Sequence, residues 1–344
     1  MSVRAFIIFV LLPITSWAQG YAGLGGSAEG FTQPVQGYSF QFPLDHGPHP
    51  SYRIEWWYLT ANLKDAEGRD YGIQWTLFRS ALKPSEAEGW QSPQIWMGHA
   101  AVTTPENHYF AERLSRGGIG QAGVTADPFE AWIDEWHMRG DDLNTLSLTA
   151  NGSDFGYDLK LAAQGPLVFH GDAGYSVKSA DGQASYYYSQ PFFAVEGILH
   201  LPDQDVEVTG KGWLDREWSS QPLAQDQSGW DWFSLSFDSG DKLMAFRLRG
   251  DRRDFTAATW IDSNGQTMHL PDGSVMLDPL ESTRVAQRDV PTRWRVSLPD
   301  HNVDVEVSAL TPKAWMGTRF EYWEGPVTVS GSHAGRGYLE MTGY

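Results

Sequence analysis

Downstream of Phe31 no long stretch of this chain keeps a helical period. Short apolar–polar alternations are broken by clusters such as KDAEGRD, ANGSD, SADGQ, DSGD, DSNG and LPDG. That pattern confines the chain to antiparallel β structure, a sandwich or a barrel. The best-kept alternation is YRIEWWYLTANL, residues 52–63. Every second residue puts Arg53, Glu55, Trp57, Leu59, Ala61 and Leu63 on one face, and Ile54, Trp56, Tyr58, Thr60 and Asn62 on the other. The face with Leu59, Ala61 and Leu63 is the better candidate for the inside, yet it carries Glu55.

A hairpin register accounts for that acid. If Leu63 pairs with Tyr71, then Ala61 faces Ile73, Leu59 faces Trp75, Trp57 faces Leu77 and Glu55 faces Arg79. Every rung on that face is apolar until the last, which is an opposite-charge pair. A slip by one residue would turn the polar face inward. The pair is either a structural closure of one barrel end or a charged group at a cavity mouth.

EWWYLTANLKDAEGRDYGIQWTLFR (55–79) and WDWFSLSFDSGDKLMAFRLR (230–249) share one plan: an acid beside tryptophan, a strand, a polar turn, and a strand ending on arginine. A duplicated barrel explains the likeness, with one β-domain over 31–220 and a second over 221–344. In the second hairpin a two-residue Ser239-Gly240 turn would pair Phe237 with Lys242 and Asp231 with Leu248, leaving Asp231 inward without a cation across the ladder.

Residues 1–18 read as a cleaved secretory signal: Arg4, an apolar run from Ala5 to Ile14, then Ser16-Trp17-Ala18. Residues 19–30 read as a flexible leader. The expected location is therefore periplasmic or secreted, with no stable membrane insertion after cleavage. The net charge of −18 argues against nucleic acid and anionic membrane surfaces as partners. Cysteine is absent, which removes disulfides and thiolate metal sites. The closest histidine pair, His46 and His49 in DHGPHP, makes a poor metal site, so none is expected. Sixteen tryptophans supply large buried area and walls for an apolar ligand.

The densest polar cluster is GKGWLDREWSSQ (210–221). Lys211, Trp213, Asp215 and Glu217 share a face, opposite Leu214, Arg216 and Trp218. Asp215 and Glu217 are an acid/base pair if buried, because mutual repulsion raises one carboxyl; on a solvated strand edge they are only surface. Asp231 and Glu55 complete the candidate acids. Trp57, Trp75, Trp218, Trp230 and Trp232 are candidate ligand-lining aromatics, with Arg79 beside them. His99, in IWMGHAAV, is a core histidine or a cavity-facing base. In YWEGPVTVSG (322–331), Tyr322 and Trp323 are further ligand candidates, and the parity of Glu324 sends it to a barrel exterior or a domain interface. GIGQAG (118–123) has no strand before it or helix after it, and no G-x-S-x-G elbow is present.

EWWYLTANL, WMGHAAVT with ERLSR, GKGWLDREWSSQ, GWDWFSLSFDSGDKLMAFRLR and YWEGPVTVSG…GRGYLEMTGY occur in the order seen in the AttH-like family of predicted secreted hydrolases, which this chain resembles. That family is related to the acyclic carotenoid 1,2-hydratases. The resemblance implies two packed lipocalin-like antiparallel β-barrels, a hydrophobic lipid or isoprenoid-like ligand, no organic cofactor, and an ABC transporter permease as partner. The hydratase branch has Asp-His-x-Trp where this chain has Asp215-Arg216-Glu217-Trp218, and LMAFRL supplies no acid matching that branch's later Tyr-x-Asp. Two functions follow as expectations. One is a cofactor-independent hydrolase or hydratase using buried carboxylates; the other is a carrier of hydrophobic molecules serving an ABC exporter. A third reading lets the aromatics merely fill the barrels.

Overall fold

The computed structural model describes residues 28–85 and 87–344; the signal and most of the leader lie outside them. Two antiparallel sheets make up the molecule. The first holds β1 (Ile54–Lys64), β2 (Asp70–Ala81), β3 (Gln94–Thr103), β4 (His108–Arg116), β5 (Ala122–Ala126), β6 (Phe129–Ile133), β7 (Trp136–Gly140), β8 (Thr145–Asn151), β9 (Gly156–Ala163), the short β10 (Val168–Phe169) and β11 (Tyr175–Val177), β12 (Ala184–Leu201) and β13 (Gln204–Ser219). The second holds β14 (Gln227–Phe237), β15 (Lys242–Gly250), β16 (Phe255–Ile261), β17 (Thr267–Leu270), β18 (Met276–Val285), β19 (Arg288–Leu298), β20 (Val303–Ala309), β21 (Trp315–Met316), β22 (Tyr322–Gly331) and β23 (Gly335–Thr342). Among the described residues, helix is confined to short 3₁₀ turns.

The first sheet runs β4-β3-β2-β1-β13-β12-β9-β8-β7-β6-β5 and curls until β6 packs back on β2, β3 and β4, a nearly closed barrel. The second runs β17-β16-β15-β14-β23-β22-β20-β19-β18 and forms a half-barrel. The chain crosses between them from Ser219 to Gln227. Trp57, Leu59, Ile73, Trp75, Trp136 and Trp218 are among the residues filling the first interior, and Phe233, Leu235, Trp294 and Trp323 among those filling the second.

The first hairpin takes the register its alternation specifies, from Leu63↔Tyr71 to Glu55↔Arg79. The second differs from expectation by one rung. Its loop spans Asp238 to Asp241, closed by the Phe237 N–H donating to the Asp241 carbonyl. Leu235 therefore faces Leu243 and Asp231 faces Arg247. With that shift the two hairpins match: each opens on an inward acid across from an arginine.

The match extends sideways. In the first sheet β1 is followed by β13 and β12; in the second β14 is followed by β23 and β22. Trp56 pairs with Glu217 and Glu217 with Tyr187; Trp232 pairs with Glu340 and Glu340 with Glu324. The outer faces of these two triplets pack against each other. They create a third apolar cluster around Tyr58, Tyr187, Trp213, Trp232, Phe246 and Tyr338. Close approach requires Gly72: a Cβ there would stand 2.6 Å from Pro326 Cγ and 2.7 Å from the Tyr338 hydroxyl. The Arg336 guanidinium, held by both Asp70 oxygens at 2.9 and 3.0 Å, ties the sheets across this seam.

Candidate active site between the barrels

Alternation along β1 and β13 leaves Trp56, Tyr58, Asp215 and Glu217 on the outer face of the first barrel, where water would ordinarily solvate them. The half-barrel covers that face instead. A cavity of about 120 Å³ remains, lined on one side by Ile54, Trp56, Tyr58, Tyr187, Asp215 and Glu217. Trp230, Trp232, Phe246, Leu248 and Glu340 line the other. The seam thus brings carboxylates from both sheets into an apolar, aromatic chamber.

Asp215 is buried and held by three donors. The Tyr187 hydroxyl donates to Oδ2 at 2.7 Å, the Trp213 indole N–H to Oδ1 at 2.6 Å, and the Ser189 hydroxyl also to Oδ1. Burial outweighs these bonds and pushes the carboxyl up to about 7, with the Glu217 charge adding to the rise. Glu340 rises to about 7 as well, through burial first and then the charges of Asp215 and Glu217. Glu217 is ion-paired with Lys178 at 2.9 Å. That ammonium also lies 4.4 Å from the Phe246 ring centre and 4.8 Å from that of Tyr187. Behind Glu340, the buried Glu324 is driven well above the usual carboxylate range by burial and by Glu340, with the hydroxyls of Tyr58 and Tyr322 tempering the shift. Its parity allows a barrel exterior or a domain interface; it occupies the interface.

Two groups near neutrality, facing one cavity from opposite sheets, can exchange roles as proton donor and proton acceptor. Tryptophan π faces beside them can hold a developing positive charge. The set carries oxygen ligands and one lysine, and its chemistry is that of proton transfer.

The other candidate acids go elsewhere. Glu55 sits inside the first barrel, ion-paired with Arg79 and Arg216 and accepting the His49 backbone N–H at 2.9 Å. Burial alone would raise its carboxyl, but the two guanidiniums hold it well below the usual range. Arg79 also donates to the carbonyls of His49 and Tyr52, at 2.9 and 2.7 Å. Of the two readings for this pair, the geometry is that of a structural closure. Asp231 is not left without a cation. Arg247 reaches it at 2.7 Å, Arg249 at 2.6 Å, and the Tyr344 hydroxyl donates at 2.7 Å.

Of the ligand-lining aromatics, Trp230 and Trp232 stand in the cleft. Trp57, Trp75, Trp218 and Trp323 do not; they point into barrel interiors, because they share the parity of the core residues. Trp57 lies under the Arg216 guanidinium at 3.9 Å and Trp218 stacks on His49 at 4.0 Å. His99 and Tyr322 meet across the seam at 2.8 Å, the imidazole also 3.3 Å from Glu112, apart from the cavity. Trp56, Tyr187, Lys178 and Glu340 belong to the site although the sequence pattern does not single them out. The available signal is on β1: a strand with large aromatics on its outward face needs a cover.

A profile of the AttH-like family matches residues 33–344. The chain belongs to the AttH-like family. A crystal structure from Nitrosomonas europaea described as an AttH superposes with a TM-score of 0.81 at 32% identity, covering 91% of this chain and all of that one. Kievitone hydratase from Nectria haematococca has the same fold at 16% identity and a TM-score of 0.69, over 91% of this chain and 96% of its own. CghA, crystallised with Sch210972, aligns at 14% identity and a TM-score of 0.53, over 85% of this chain and 88% of its own. No curated protein sequence matches. This AttH-like chain shares the lipocalin-like architecture of a hydratase. Arg216 faces the barrel interior and neutralises Glu55, on the side of β13 away from Asp215.

Proposed function

We propose that this protein is a cofactor-independent enzyme of hydratase or hydrolase type, acting on an apolar, lipid- or isoprenoid-like ligand in the inter-barrel cleft. One observation carries the reading: Asp215, a carboxyl raised to about 7, lines the same cavity as Trp56, Trp230 and Trp232. A carrier needs the apolar walls but no proton donor within them. Two proteins on this fold, one a hydratase by name and one crystallised with Sch210972, give a precedent in the fold rather than in the site.

Protonated Asp215 delivers its proton to an unsaturated carbon or to a leaving oxygen of the ligand. The electron-poor centre this creates is flanked by indole faces, worth ~2 kcal/mol or more where water is excluded. Glu340, as carboxylate, takes a proton from the water that adds. Glu217, ion-paired with Lys178, lies beside the forming charge. Because enzymatic accelerations begin at ~8 kcal/mol, positioning of ligand and water has to supply the larger share. Export to the periplasm and an ABC transporter permease as neighbour complete this proposal.

The test begins with native mass spectrometry of protein purified from the periplasm, to identify a co-purified lipid. That lipid is then incubated with wild type and with Asp215→Asn. Conversion by wild type and none by the variant supports the enzyme; equal binding with no conversion by either makes the protein a carrier.

A further inference from the structure

Behind Asp215, away from the cavity, lies a buried imidazole that the chemistry above does not use. His170 follows β10 and is fully shielded from solvent. Its Nε2 stands 2.6 Å from the Ser189 hydroxyl, which in turn bonds Asp215 Oδ1. Its Nδ1 stands 3.0 Å from the Thr259 hydroxyl, across the seam on β16. Thr259 is directly opposite His269 on β17, so the two side chains project to the same face. His269 is exposed. A hydrogen-bonded line therefore runs from the cleft acid across the seam to Thr259, on the face of the half-barrel that Thr259 shares with the exposed His269.

We propose that Ser189, His170 and Thr259 form a proton path that loads and unloads Asp215 from the His269 side of the molecule. The proposal rests on Asp215 being the acid of the cleft.

Donor and acceptor counting gives the line two self-consistent arrangements. With Asp215 ionised, the Ser189 hydroxyl donates to Oδ1, His170 donates Nε2–H to Ser189, and Thr259 donates to Nδ1. With Asp215 protonated, its O–H donates to Ser189, Ser189 donates to Nε2, and His170 donates Nδ1–H to Thr259. Passing from the first to the second, a proton arrives at Thr259 from His269 or surface water as the Thr259 proton moves to Nδ1. The Nε2 proton passes to Ser189, and the Ser189 proton to Asp215. One proton enters, one carboxylate is neutralised, and every intermediate group keeps its proton count.

Such a path needs an imidazole that stays neutral and changes tautomer. Burial holds the His170 ring well below its ordinary value, and the nearby charges of Lys178 and His269 act in the same direction. Tyr187 is a further titratable neighbour, its ring centre 4.1 Å away. A purely structural histidine would need only one fixed tautomer. Here each nitrogen meets a hydroxyl, and a hydroxyl can donate or accept.

Nitrogen-15 NMR of histidine-labelled full-length protein reads the tautomer directly. From about pH 5 to 9, the protonated nitrogen of His170 is expected to switch from Nδ1 to Nε2, with the same midpoint as the Asp215 carboxyl. Ser189→Ala, which removes one hydroxyl, should leave His170 in a single tautomer while Asp215 still titrates. A single wild-type tautomer across that range, or a cationic ring, overturns the path. If His170 is fixed while Asp215 ionises near neutrality, the path fails and the cleft acid stands. If Asp215 itself ionises near its ordinary value, the reading of the cleft falls first.

Discussion

Glu217 and Glu340 occupy equivalent rungs of the two halves: each lies directly across from the tryptophan that follows an inward, arginine-paired acid, Trp56 after Glu55 and Trp232 after Asp231. The duplicated plan thus sets two faces of like chemistry against each other, and the seam inherits a carboxylate from each. Neither barrel alone would bury these acids. The raised values of Glu340 and of Asp215 are a property of the docking.

Asp215 makes stability depend on pH in a set direction. Its folded value near 7 exceeds the ordinary 3.8, so its favourable contribution is complete in acid and is lost as pH rises through about 7. Asn cannot ionise. The stability of Asp215→Asn relative to wild type should therefore climb between about pH 4 and 7 and then level off, by about 1.4 kcal/mol per pH unit at most. Urea unfolding of both proteins across that range checks it; a difference independent of pH contradicts it.

Glu55 has the opposite sign. Its carboxyl is held below the ordinary 4.5, so its stabilisation is present at neutral pH and disappears as acid protonates it. Arg79→Met removes one of two guanidiniums from a fully buried carboxylate. We expect a loss of about 3–5 kcal/mol at pH 7, measured by chemical denaturation, and a smaller loss below pH 4.

Gly72→Ala tests the seam without touching an acid. The added methyl meets Pro326 and the Tyr338 hydroxyl inside van der Waals distance. Overpacking of this kind costs roughly 1–3 kcal/mol. Because the shift separates the two sheets, it should also lower the Asp215 midpoint by admitting water. Unchanged stability and an unchanged midpoint would show that the sheets are not in tight contact at Gly72.

Lys178→Met leaves Glu217 buried beside Asp215 and Glu340 with its ammonium partner gone. The Asp215 and Glu340 midpoints should then rise further, because the Glu217 charge that lifts both is no longer offset by the ammonium. Carbon-13 NMR of the side-chain carboxyls follows the two. Two unaltered titrations would remove Lys178 from the site.

The first hairpin is legible to the rung, because one face must be apolar and only one register keeps it so. The second is not: DSGD closes a four-residue loop, and composition does not distinguish that from a two-residue turn. Asp215 and Glu217 share one face as their spacing requires, but alternation says which side a residue faces and not what covers that side. Sequence order also separates Glu340 from Asp215 by a whole half-barrel, so only docking brings them together. The core tryptophans look like ligand residues for the same reason, since parity with Leu59 marks an interior but not the interior that holds the chemistry.

A protonated acid in an apolar cleft at neutral pH underlies the proposed chemistry, and infrared difference spectroscopy of the carboxyl C=O stretch measures it most directly. A protonated-carboxyl band is expected to survive to about pH 7, part of it lost in Asp215→Asn and part in Glu340→Gln. A spectrum in which every carboxyl assigned to the cleft has ionised by about pH 5, the ordinary range for these groups, would contradict it.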